Sequence, residues 1–273
     1  MIVPTYHRND LLEKCLACLA PDVQSLPADQ YEVIVTDDGV KTTAKEFVGD
    51  KFPWARWSEG PHRGPASNRN NGVKHALGAW LVFTDDDCLP KPDWLKGYAE
   101  AIKEGSGVYE GKTTCESGFP TPLFTAPVNE TGGFLWSCNM MLRRDAFEGI
   151  GGFDESYQLV SMEDIDFRER LRDAGHTWVF VSEAVVDHPA RRLVGPVKLA
   201  GIKESEYMFF ARRGNPPKWL NWTWQILYVR LREIYRRPRG FDAVKAVPYA
   251  FVEAFLVAAK YPFWRKRYLP TKR

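Results

Sequence analysis

Short strand-like apolar segments alternate with helix-like amphipathic segments over the first 116 residues of the chain. The strand-like segments are residues 2–5, 32–36, 80–84 and 107–110, and the helix-like segments are residues 9–19, 42–48, 65–76 and 93–104. Strands that alternate with helices are typical of βαβ units and of a mainly parallel sheet. We therefore predict an α/β domain whose mixed, mainly parallel sheet is flanked by helices.

The alternation becomes irregular further along the chain. Residues 117–133 are rich in Gly, Pro and Thr and are predicted to form a loop over the site. A short helix is expected over 144–148, a stronger helix from Glu163 or Asp164 to Ala174, and a strand over 177–181. The pattern then predicts three helical pieces near 193–213, 218–236 and 242–260.

The charge is divided unevenly along the chain. Residues 1–188 hold 18 Lys and Arg against 30 Asp and Glu, whereas residues 189–273 hold 19 against 5. A strongly basic segment indicates an anionic partner, and the charge alone leaves open a membrane, a lipid phosphate or a nucleic acid. We predict a domain over residues 1–190 and a basic, aromatic-rich helical extension over residues 191–273.

The composition of the extension favours a membrane surface. Residues 189–273 carry 16 of the 37 aromatic side chains, interleaved with arginines, which suits amphipathic helices at a membrane interface. No run reaches the roughly 18 apolar residues that span a bilayer, and no nucleic-acid-binding module is recognisable. We therefore predict peripheral attachment to an anionic membrane. The alternative is a helical cap that packs on the domain or on a second subunit.

The number and spacing of the cysteines indicate the cellular compartment in which the protein is expected. The five cysteines are scattered and odd in number, which argues against a disulfide framework and fits a reducing cytosol. Met1 leads directly into the first strand-like segment, so no signal peptide is expected. The expected location is the cytoplasm, at the cytoplasmic face of the membrane.

Three consecutive aspartates, Asp85, Asp86 and Asp87, end the apolar segment 80–84. Adjacent carboxylates repel one another, so their position at the end of a buried strand predicts a nearby cation. The carboxyl edge of an α/β sheet is also where a divalent ion and a phosphate ligand would sit.

The loops after the first two strands are expected at the same edge. Backbone groups at Pro4, Thr5 and Tyr6 can hydrogen-bond a flat base, and the Asp38 carboxylate can accept the imide N–H of uracil or thymine. Taken alone, Asp38 is better explained by an Asp-Gly turn. Three polar loops at one edge of the sheet favour a nucleotide-binding role for Asp38 over a simple turn.

The start of the helix over 65–76 is a further candidate for nucleotide binding. Gly64 precedes this helix, and Arg69 and Asn70 lie in it. A helix N-terminus with glycine nearby favours an anion, and an arginine adds positive charge. An exposed helix with an ordinary N-terminal cap explains the same residues about as well.

Five motifs together resemble family 2 glycosyltransferases with a GT-A fold, which is Rossmann-like. They are "IVPTYHR", "VIVTDDG", "NRNNGVKHALGAWLVFTDDD", "NMMLRRDAFEGIGGFDE" and "MEDIDFRERLRDAG", and they occur in the family's order over roughly residues 1–190. The resemblance implies an inverting transferase that uses a nucleotide-sugar and Mn²⁺ or Mg²⁺. Asp85 and Asp87 fall on the family's D-x-D, which implies that Asp87 is a metal ligand and that Asp85 and Asp86 face the ribose or diphosphate, with Asp85 as a further metal ligand.

The same resemblance places the family's general base at Glu163-Asp164. Asp164 is then the base that accepts the proton of the acceptor hydroxyl, and Glu163 orients the acceptor or the base. In isolation, acidic residues at a helix start are equally explained by ordinary capping. Asp166 lies two residues on and would point elsewhere on the helix, so it is a poorer candidate.

Three further residues receive roles from the resemblance. His188 follows a strand and is a candidate metal ligand, with the neighbouring Asp187 as the other acid that could matter there. Trp136 and Asn139 precede or open the "NM" segment and are candidates for the acceptor site, although core packing explains Trp136 almost as well.

The expected function is the transfer of a sugar from a UDP- or dTDP-sugar to a hydroxyl of a glycan or lipid-linked acceptor. The alternative is a catalytically silent nucleotide- or carbohydrate-binding protein on the same fold. A sugar nucleotidyltransferase would need a Gly-rich, basic phosphate loop after the first strand, where this chain has "PTYHR".

Overall fold

The computed structural model describes residues 1–102, 105–159, 161–237 and 241–269. The chain divides into two compact units. The first unit comprises Met1–Glu116 and Pro127–Pro189, and the second comprises Ser117–Ala126 and Ala190–Arg273. The last two residues of the predicted helix 93–104, and residues 238–240 and 270–273 of the predicted extension, lie outside the described residues.

Eight strands of the described residues form one sheet in the first unit. In the order β3-β2-β1-β4-β8-β6-β9-β5 they are Ala55–Glu59, Val33–Asp37, Ile2–Thr5, Trp80–Thr84, Asn139–Arg143, Val108–Thr114, Val179–Asp187 and Leu89–Pro90. β1 pairs in parallel with β2 and β4, β2 with β3, and β6 with β9. β8 runs antiparallel to both β4 and β6, and β5 runs antiparallel to β9. The predicted mixed, mainly parallel sheet is confirmed.

Helices accompany these strands close to the predicted positions. They are α1 Asn9–Cys18, α2 Lys45–Lys51, α3 Pro65–His75, α4 Trp94–Ala101, α5 Arg144–Gly149 and α6 Glu163–Asp173. Helices of this unit bury apolar side chains against the two faces of the sheet in separate clusters. Leu12, Leu16 and Trp94 belong to one cluster, and Phe147, Phe153 and Phe167 belong to the other. The six residues are nearly or fully buried, so both sheet faces are covered by core.

Two of the five-residue strands of the sheet, β3 and β8, are absent from the sequence prediction. β3 has a single buried residue, Ala55, and lies at an edge of the sheet, so its apolar pattern is weak. β8 is buried at Asn139, Met140, Met141 and Leu142, an unbroken run that periodicity cannot distinguish from a helical segment. The register that pairs Thr84 with Asn139 places the start of β8 beside the end of β4.

The second unit is mainly helical. Its elements are the short strands β7 Phe124–Thr125 and β10 Arg191–Arg192, which pair antiparallel, and the helices α7 Pro196–Arg212, α8 Trp219–Arg236 and α9 Phe241–Tyr268. An aromatic core of Tyr207, Trp222 and Trp264 joins the helices. α9 continues through Pro248 and Pro262, beyond the predicted end near residue 260. No helix among the described residues is both long and apolar enough to cross a bilayer.

Candidate active site

The carboxyl ends of neighbouring strands bring the predicted nucleotide loops together. The backbone N–H of Asp38, just after β2, donates to the Thr5 carbonyl at the end of β1 over 3.0 Å. The Thr5 hydroxyl donates to Asp86 Oδ2, just after β4, over 2.7 Å. Because β1 lies between β2 and β4, one short chain of hydrogen bonds connects all three loops.

The middle aspartate of the triplet is the most enclosed. Asp86 is fully buried and receives a hydrogen bond from Thr5 and an ion pair from the guanidinium of Arg8. Burial raises the pKa of Asp86 to about 7, with the neighbouring Asp87 charge acting in the same direction and Arg8 opposing it. Asp86 therefore has no open side facing a ligand, and its contacts fix the loop that carries the other two carboxylates.

Asp87 lies beside His188 because β5 pairs with β9. Leu89 of β5 is in register with Asp187 of β9, which brings the residues that flank this pair together. The distance from Asp87 Oδ1 to His188 Nε2 is 3.4 Å, and both side chains are buried. Asp187 accepts a hydrogen bond from the Glu116 N–H over 2.8 Å, so its carboxylate holds the neighbouring strand end.

This pair has the donor chemistry of a divalent cation site. A carboxylate oxygen and an imidazole nitrogen suit Mn²⁺, and cis ligands of an octahedral ion lie about 3 Å apart. Cys88 also places its sulfur within 4.8 Å of the Asp87 and His188 donor atoms. Sulfur is a soft ligand that suits Zn²⁺ or Cu⁺, so Cys88 is unsuited to a hard cation. Asp87 and His188 therefore fit such an ion, and Cys88 does not.

A buried arginine connects the acidic triplet to the start of α6. Arg69 donates from Nη2 to Asp85 Oδ1 over 2.7 Å and from Nη1 to Glu163 Oε1 over 3.2 Å. Burial acts to raise the pKa of Asp85, but the Arg69 charge and hydrogen bond outweigh it and hold this pKa below its ordinary value. Asp85 is thus an ionised carboxylate, and Arg69 holds it and Glu163 on opposite ends of one guanidinium.

Asp164 lies next to this bridge and differs from Asp85 electrostatically. Burial raises the pKa of Asp164 to about 7, the Glu163 charge adds to the rise, and Arg69 opposes it. The Asp164 side chain is partly exposed, and one carboxylate oxygen accepts the Ile165 N–H over 2.9 Å. A carboxylate with a pKa near neutrality and one open side can accept a proton at physiological pH.

The backbone before α6 is strained. Ser161 has φ +122° and Met162 has φ +75°, conformations that non-glycine residues rarely adopt. The Ser161 N–H donates to Glu163 Oε2 over 2.8 Å, which helps to hold the turn. Strain of this kind is often found at functional sites, where surrounding contacts fix an otherwise unfavourable backbone.

The other predicted nucleotide residues line the same edge in different ways. Pro4 lies in β1, and the ring of Tyr6 is more than half exposed in the loop beyond it. Asp38 accepts N–H groups from His62 and Gly64 over 3.0 and 2.9 Å, so its carboxylate shapes the turn before α3. Asn70 instead exchanges hydrogen bonds with the Phe153 backbone and holds a neighbouring loop.

The two predicted acceptor residues have different environments. Trp136 is half-buried, and its ring lies 4.6 Å from that of the exposed Phe134. Asn139 is buried, and its side chain makes four hydrogen bonds, to Trp94, Tyr98, Lys112 and Ala184. The structure therefore places Trp136 near the surface and Asn139 among core residues.

Two charged residues of the site region were not singled out by the sequence. Arg8 contacts Asp86 and Asp87, and the buried Glu110 accepts N–H groups from Phe134 and Leu135 over 3.0 and 2.7 Å. A charged residue inside the apolar strand segment 107–110 was the available signal for Glu110. Arg8 lies 77 residues before Asp85 in the sequence, and only the tertiary fold brings it to the triplet.

The fold and the site define a class: an α/β protein with a cluster of aspartates at the carboxyl edge of a mixed sheet. A family model described as glycosyl transferase family 2 matches residues 1–151, more than half of the chain. The chain belongs to glycosyl transferase family 2.

Solved structures and a curated relative agree with this family. One is the structure of S. aureus TarS residues 1–349 in complex with UDP-GlcNAc. The alignment covers 97% of this chain and 91% of the TarS chain, with a TM-score of 0.59 and 20% sequence identity. Another is the structure of a mannosyltransferase from Pyrobaculum calidifontis in complex with GDP-Man and Mn²⁺. The alignment covers 100% of this chain and 75% of the mannosyltransferase chain, with a TM-score of 0.55 and 19% sequence identity. These neighbours establish the GT-A fold.

The curated relative is glycosyltransferase AglE of Haloferax volcanii, 28% identical over 208 residues. The match covers 70% of this chain and 66% of AglE, so the chain spans slightly less than two thirds of that relative's length.

Proposed function

We propose that this protein is a metal-dependent inverting glycosyltransferase, which moves a sugar from a UDP- or dTDP-sugar to a hydroxyl of a glycan or lipid-linked acceptor. The observation that carries the proposal is the Arg69 bridge between Asp85 and Glu163. It joins the donor-side carboxylates to the carboxylate pair that opens α6. Asp85 would then serve donor binding and the Glu163-Asp164 pair would serve proton acceptance, with Arg69 holding both.

Asp164 is the general base of this proposal. It takes the proton of the acceptor hydroxyl as that oxygen attacks the anomeric carbon from the face opposite the leaving diphosphate. Glu163 is held by Arg69 and by the Ser161 N–H, so it positions Asp164. Its negative charge also contributes to the raised pKa of Asp164, which suits a base that must release its proton again near pH 7.

The donor lies at the edge formed by the loops after β1, β2 and β4. Pro4, Thr5, Tyr6 and Asp38 would contact the base, with Gly64 and Arg69 as further nucleotide-side residues and Asp85 on the ribose or diphosphate side. Asp86 and Asn70 would hold the surrounding loops rather than contact the donor. Asp87 and His188, with Asp85 as the third candidate, would hold Mn²⁺ or Mg²⁺. A bound divalent cation would stabilise the negative charge that develops on the departing diphosphate.

The neighbours support a nucleotide-sugar donor without selecting the base. TarS is bound to UDP-GlcNAc, whereas the mannosyltransferase is bound to GDP-Man and Mn²⁺. The preference for uracil or thymine rests on Asp38 as an acceptor for an imide N–H. The acceptor side rests on Trp136, whose half-buried ring lies beside Phe134.

The test of this proposal is nucleoside diphosphate release from a panel of nucleotide-sugars by the wild type and by Asp164→Asn. We expect the variant to bind the donor as well as the wild type does and to lose about 100-fold or more in turnover. Donor binding without turnover in both proteins would identify the silent binding protein instead. Near-normal turnover in the variant would remove Asp164 as the base.

We also propose that the extension over residues 191–273 attaches to an anionic membrane surface. Leu220, Trp224, Tyr228 and Tyr235 recur on one face of α8, and each is 58–74% exposed. Phe251, Phe255 and Phe263 are similarly exposed on α9. The last turn of α9 carries Arg265, Lys266 and Arg267. Exposed aromatic rings next to basic side chains are the combination that interfacial helices use.

A further inference from the structure

Arg8 holds two of the three aspartates at the end of β4. It lies in the loop after β1, where its carbonyl accepts the N–H groups of Leu11 and Leu12 over 3.0 and 2.9 Å at the start of α1. Its guanidinium forms an ion pair with Asp86 and donates from Nη1 to Asp87 Oδ2 over 3.1 Å. The backbone of Arg8 is thus fixed by the helix, while its side chain spans the triplet.

The two arginines of the site differ in their freedom to change partner. Arg69 is 5% exposed and is held between Asp85 and Glu163, whereas the Arg8 side chain is 38% exposed. The solvent-facing side of the Arg8 guanidinium can turn towards a new anion, and the Thr5 hydroxyl remains a hydrogen-bond donor to the buried Asp86 when it does. Of these two arginines, Arg8 is therefore the one that can form a new ion pair with a bound ligand.

The two oxygens of Asp87 face two different groups, a guanidinium and an imidazole nitrogen. Oδ2 faces Arg8, and Oδ1 faces His188 Nε2 at 3.4 Å. A divalent cation held by Asp87 and His188 would share the Asp87 carboxylate with Arg8, and like charges at one carboxylate oppose each other. Arg8 then weakens cation binding until an additional anion is present to accept one of the two positive charges.

We propose that Arg8 exchanges partners during the reaction: it neutralises Asp86 and Asp87 in the donor-free protein and turns to the diphosphate when the donor binds. Arginine suits this role, because its planar fork forms paired hydrogen bonds to carboxylate and to phosphate alike. The diphosphate step rests on the proposed function, whereas the competition for Asp87 rests on the ion pairs alone.

The experiment compares wild type, Arg8→Gln, Arg8→Lys and the control Arg143→Gln. Arg143 is an exposed arginine in an ion pair with Asp145, and it lies at the opposite end of β8 from Asn139. Binding of Mn²⁺ alone is measured by electron paramagnetic resonance of the free ion. Binding of UDP, and separately of dTDP, is measured by calorimetry at saturating Mn²⁺, with uridine and thymidine as probes that lack phosphate.

Arg8→Gln is expected to bind Mn²⁺ alone about fivefold more tightly and UDP or dTDP about tenfold more weakly, since one charge-assisted contact is lost. Arg8→Lys retains the positive charge, so its affinities for Mn²⁺ and for the diphosphates should lie between those of the wild type and Arg8→Gln. Arg143→Gln should match the wild type. The nucleosides should show no difference between variants.

A merely structural Arg8 would weaken both kinds of binding when it is replaced. Unchanged or weaker binding of Mn²⁺ alone by Arg8→Gln would overturn the competition for Asp87. Tighter Mn²⁺ binding with unchanged diphosphate binding would overturn the exchange of partners. If the wild type binds neither UDP nor dTDP, the predicted donor base fails, and the Mn²⁺ measurement still decides the competition.

Discussion

Asp85 and Asp164 lie within one network of charges, and their pKa values are displaced in opposite directions. Burial acts on both carboxyl groups, but Arg69 overrides it at Asp85, whereas at Asp164 the Glu163 charge reinforces it. Pairs of titratable groups that differ in this way mark acid–base assignments. At the residue scale, the two carboxylates are therefore suited to different tasks: Asp85 stays charged at neutral pH, and Asp164 can accept a proton.

The raised pKa of Asp164 predicts the pH dependence of turnover. With a pKa of about 7, Asp164 is protonated and inactive as a base at low pH. We expect kcat/KM to rise about tenfold per pH unit below pH 7 and to level off above it. A profile of nucleoside diphosphate release from pH 5 to 9 measures this. A wild-type profile that is flat across pH 7 would contradict the role of Asp164.

The same pKa predicts a stability effect with the opposite trend. Because burial and Glu163 raise the pKa of Asp164 in the folded protein, stability linked to its proton is present at low pH and is lost as the pH rises through about 7. Asp164→Asn carries no charge at any pH. Its melting temperature should therefore exceed that of the wild type by more at pH 8 than at pH 5, in differential scanning fluorimetry. An equal difference at both pH values would exclude the linkage.

The sequence indicates candidate residues for the site, but it does not indicate their contacts. Asp85–Asp87 and Glu163-Asp164 were recognisable as acidic groups at a strand end and a helix start. The contact between Arg69 and Glu163 spans 94 residues, and that between Arg8 and Asp86 spans 78. Such pairs depend on the order of strands in the sheet, which no local pattern contains. Asn139 was chosen by position in a motif, and its burial became visible only with β8 in place.

At the scale of elements, the turn before α3 depends on the absence of a side chain at Gly64. This residue has φ +95°, and a Cβ atom there would lie 2.3 Å from the Gln158 carbonyl oxygen. Its N–H also donates to Asp38 over 2.9 Å. The turn thus connects the loop after β2 with the residues that precede α6, on both sides of the proposed donor site.

Gly64→Ala is expected to weaken both folding and nucleotide binding. The positive φ costs about 1 kcal/mol for a non-glycine residue, and the contact with Gln158 requires the backbone to shift. Melting temperature and UDP affinity at saturating Mn²⁺ should both fall. The matched control is Gly49→Ala in α2, where a Cβ meets nothing within 4 Å and helix propensity favours alanine by about 1 kcal/mol. Equal effects of the two substitutions would contradict the role of the turn.

Most elements followed from local pattern, and the exceptions have physical causes. The strands over 2–5 and 80–84 were predicted with the bounds that they have. The predicted helix ended near residue 260, before Pro262, yet α9 runs through Pro262 as well as Pro248, because tertiary packing of Val257 and Trp264 overrides the local penalty. A local rule therefore fails where burial supplies more free energy than propensity removes.

At the scale of the whole molecule, the chain combines an acidic part with a basic one. The residues up to 188 hold 30 acidic side chains, whereas residues 189–273 hold 19 basic ones. The acidic part contains the proposed cation and donor sites. The basic part exposes aromatic rings that its own aromatic core leaves uncovered. The composition alone predicted this division of charge, but not which rings are exposed.

The exposed rings of the extension give a membrane test. The double variant Trp224→Ser with Phe255→Ser removes one exposed ring from each of α8 and α9. We expect the wild type to float with vesicles that contain anionic lipid, and the double variant to lose most of that binding. Leu77→Ser, a similarly exposed apolar residue of the first unit, is the control. Equal flotation with neutral and anionic vesicles would refute the electrostatic part of the proposal.

The most direct test of the central claim is a thermal-shift screen of nucleotide-sugars with Mn²⁺ and with EDTA, on the wild type and on Asp87→Ala. The claim is that the acidic end of β4 binds a nucleotide-sugar through a divalent cation. We predict that at least one UDP- or dTDP-sugar raises the melting temperature of the wild type with Mn²⁺, and that EDTA or Asp87→Ala abolishes the shift. The same shift in EDTA, or in Asp87→Ala with Mn²⁺, would contradict the account.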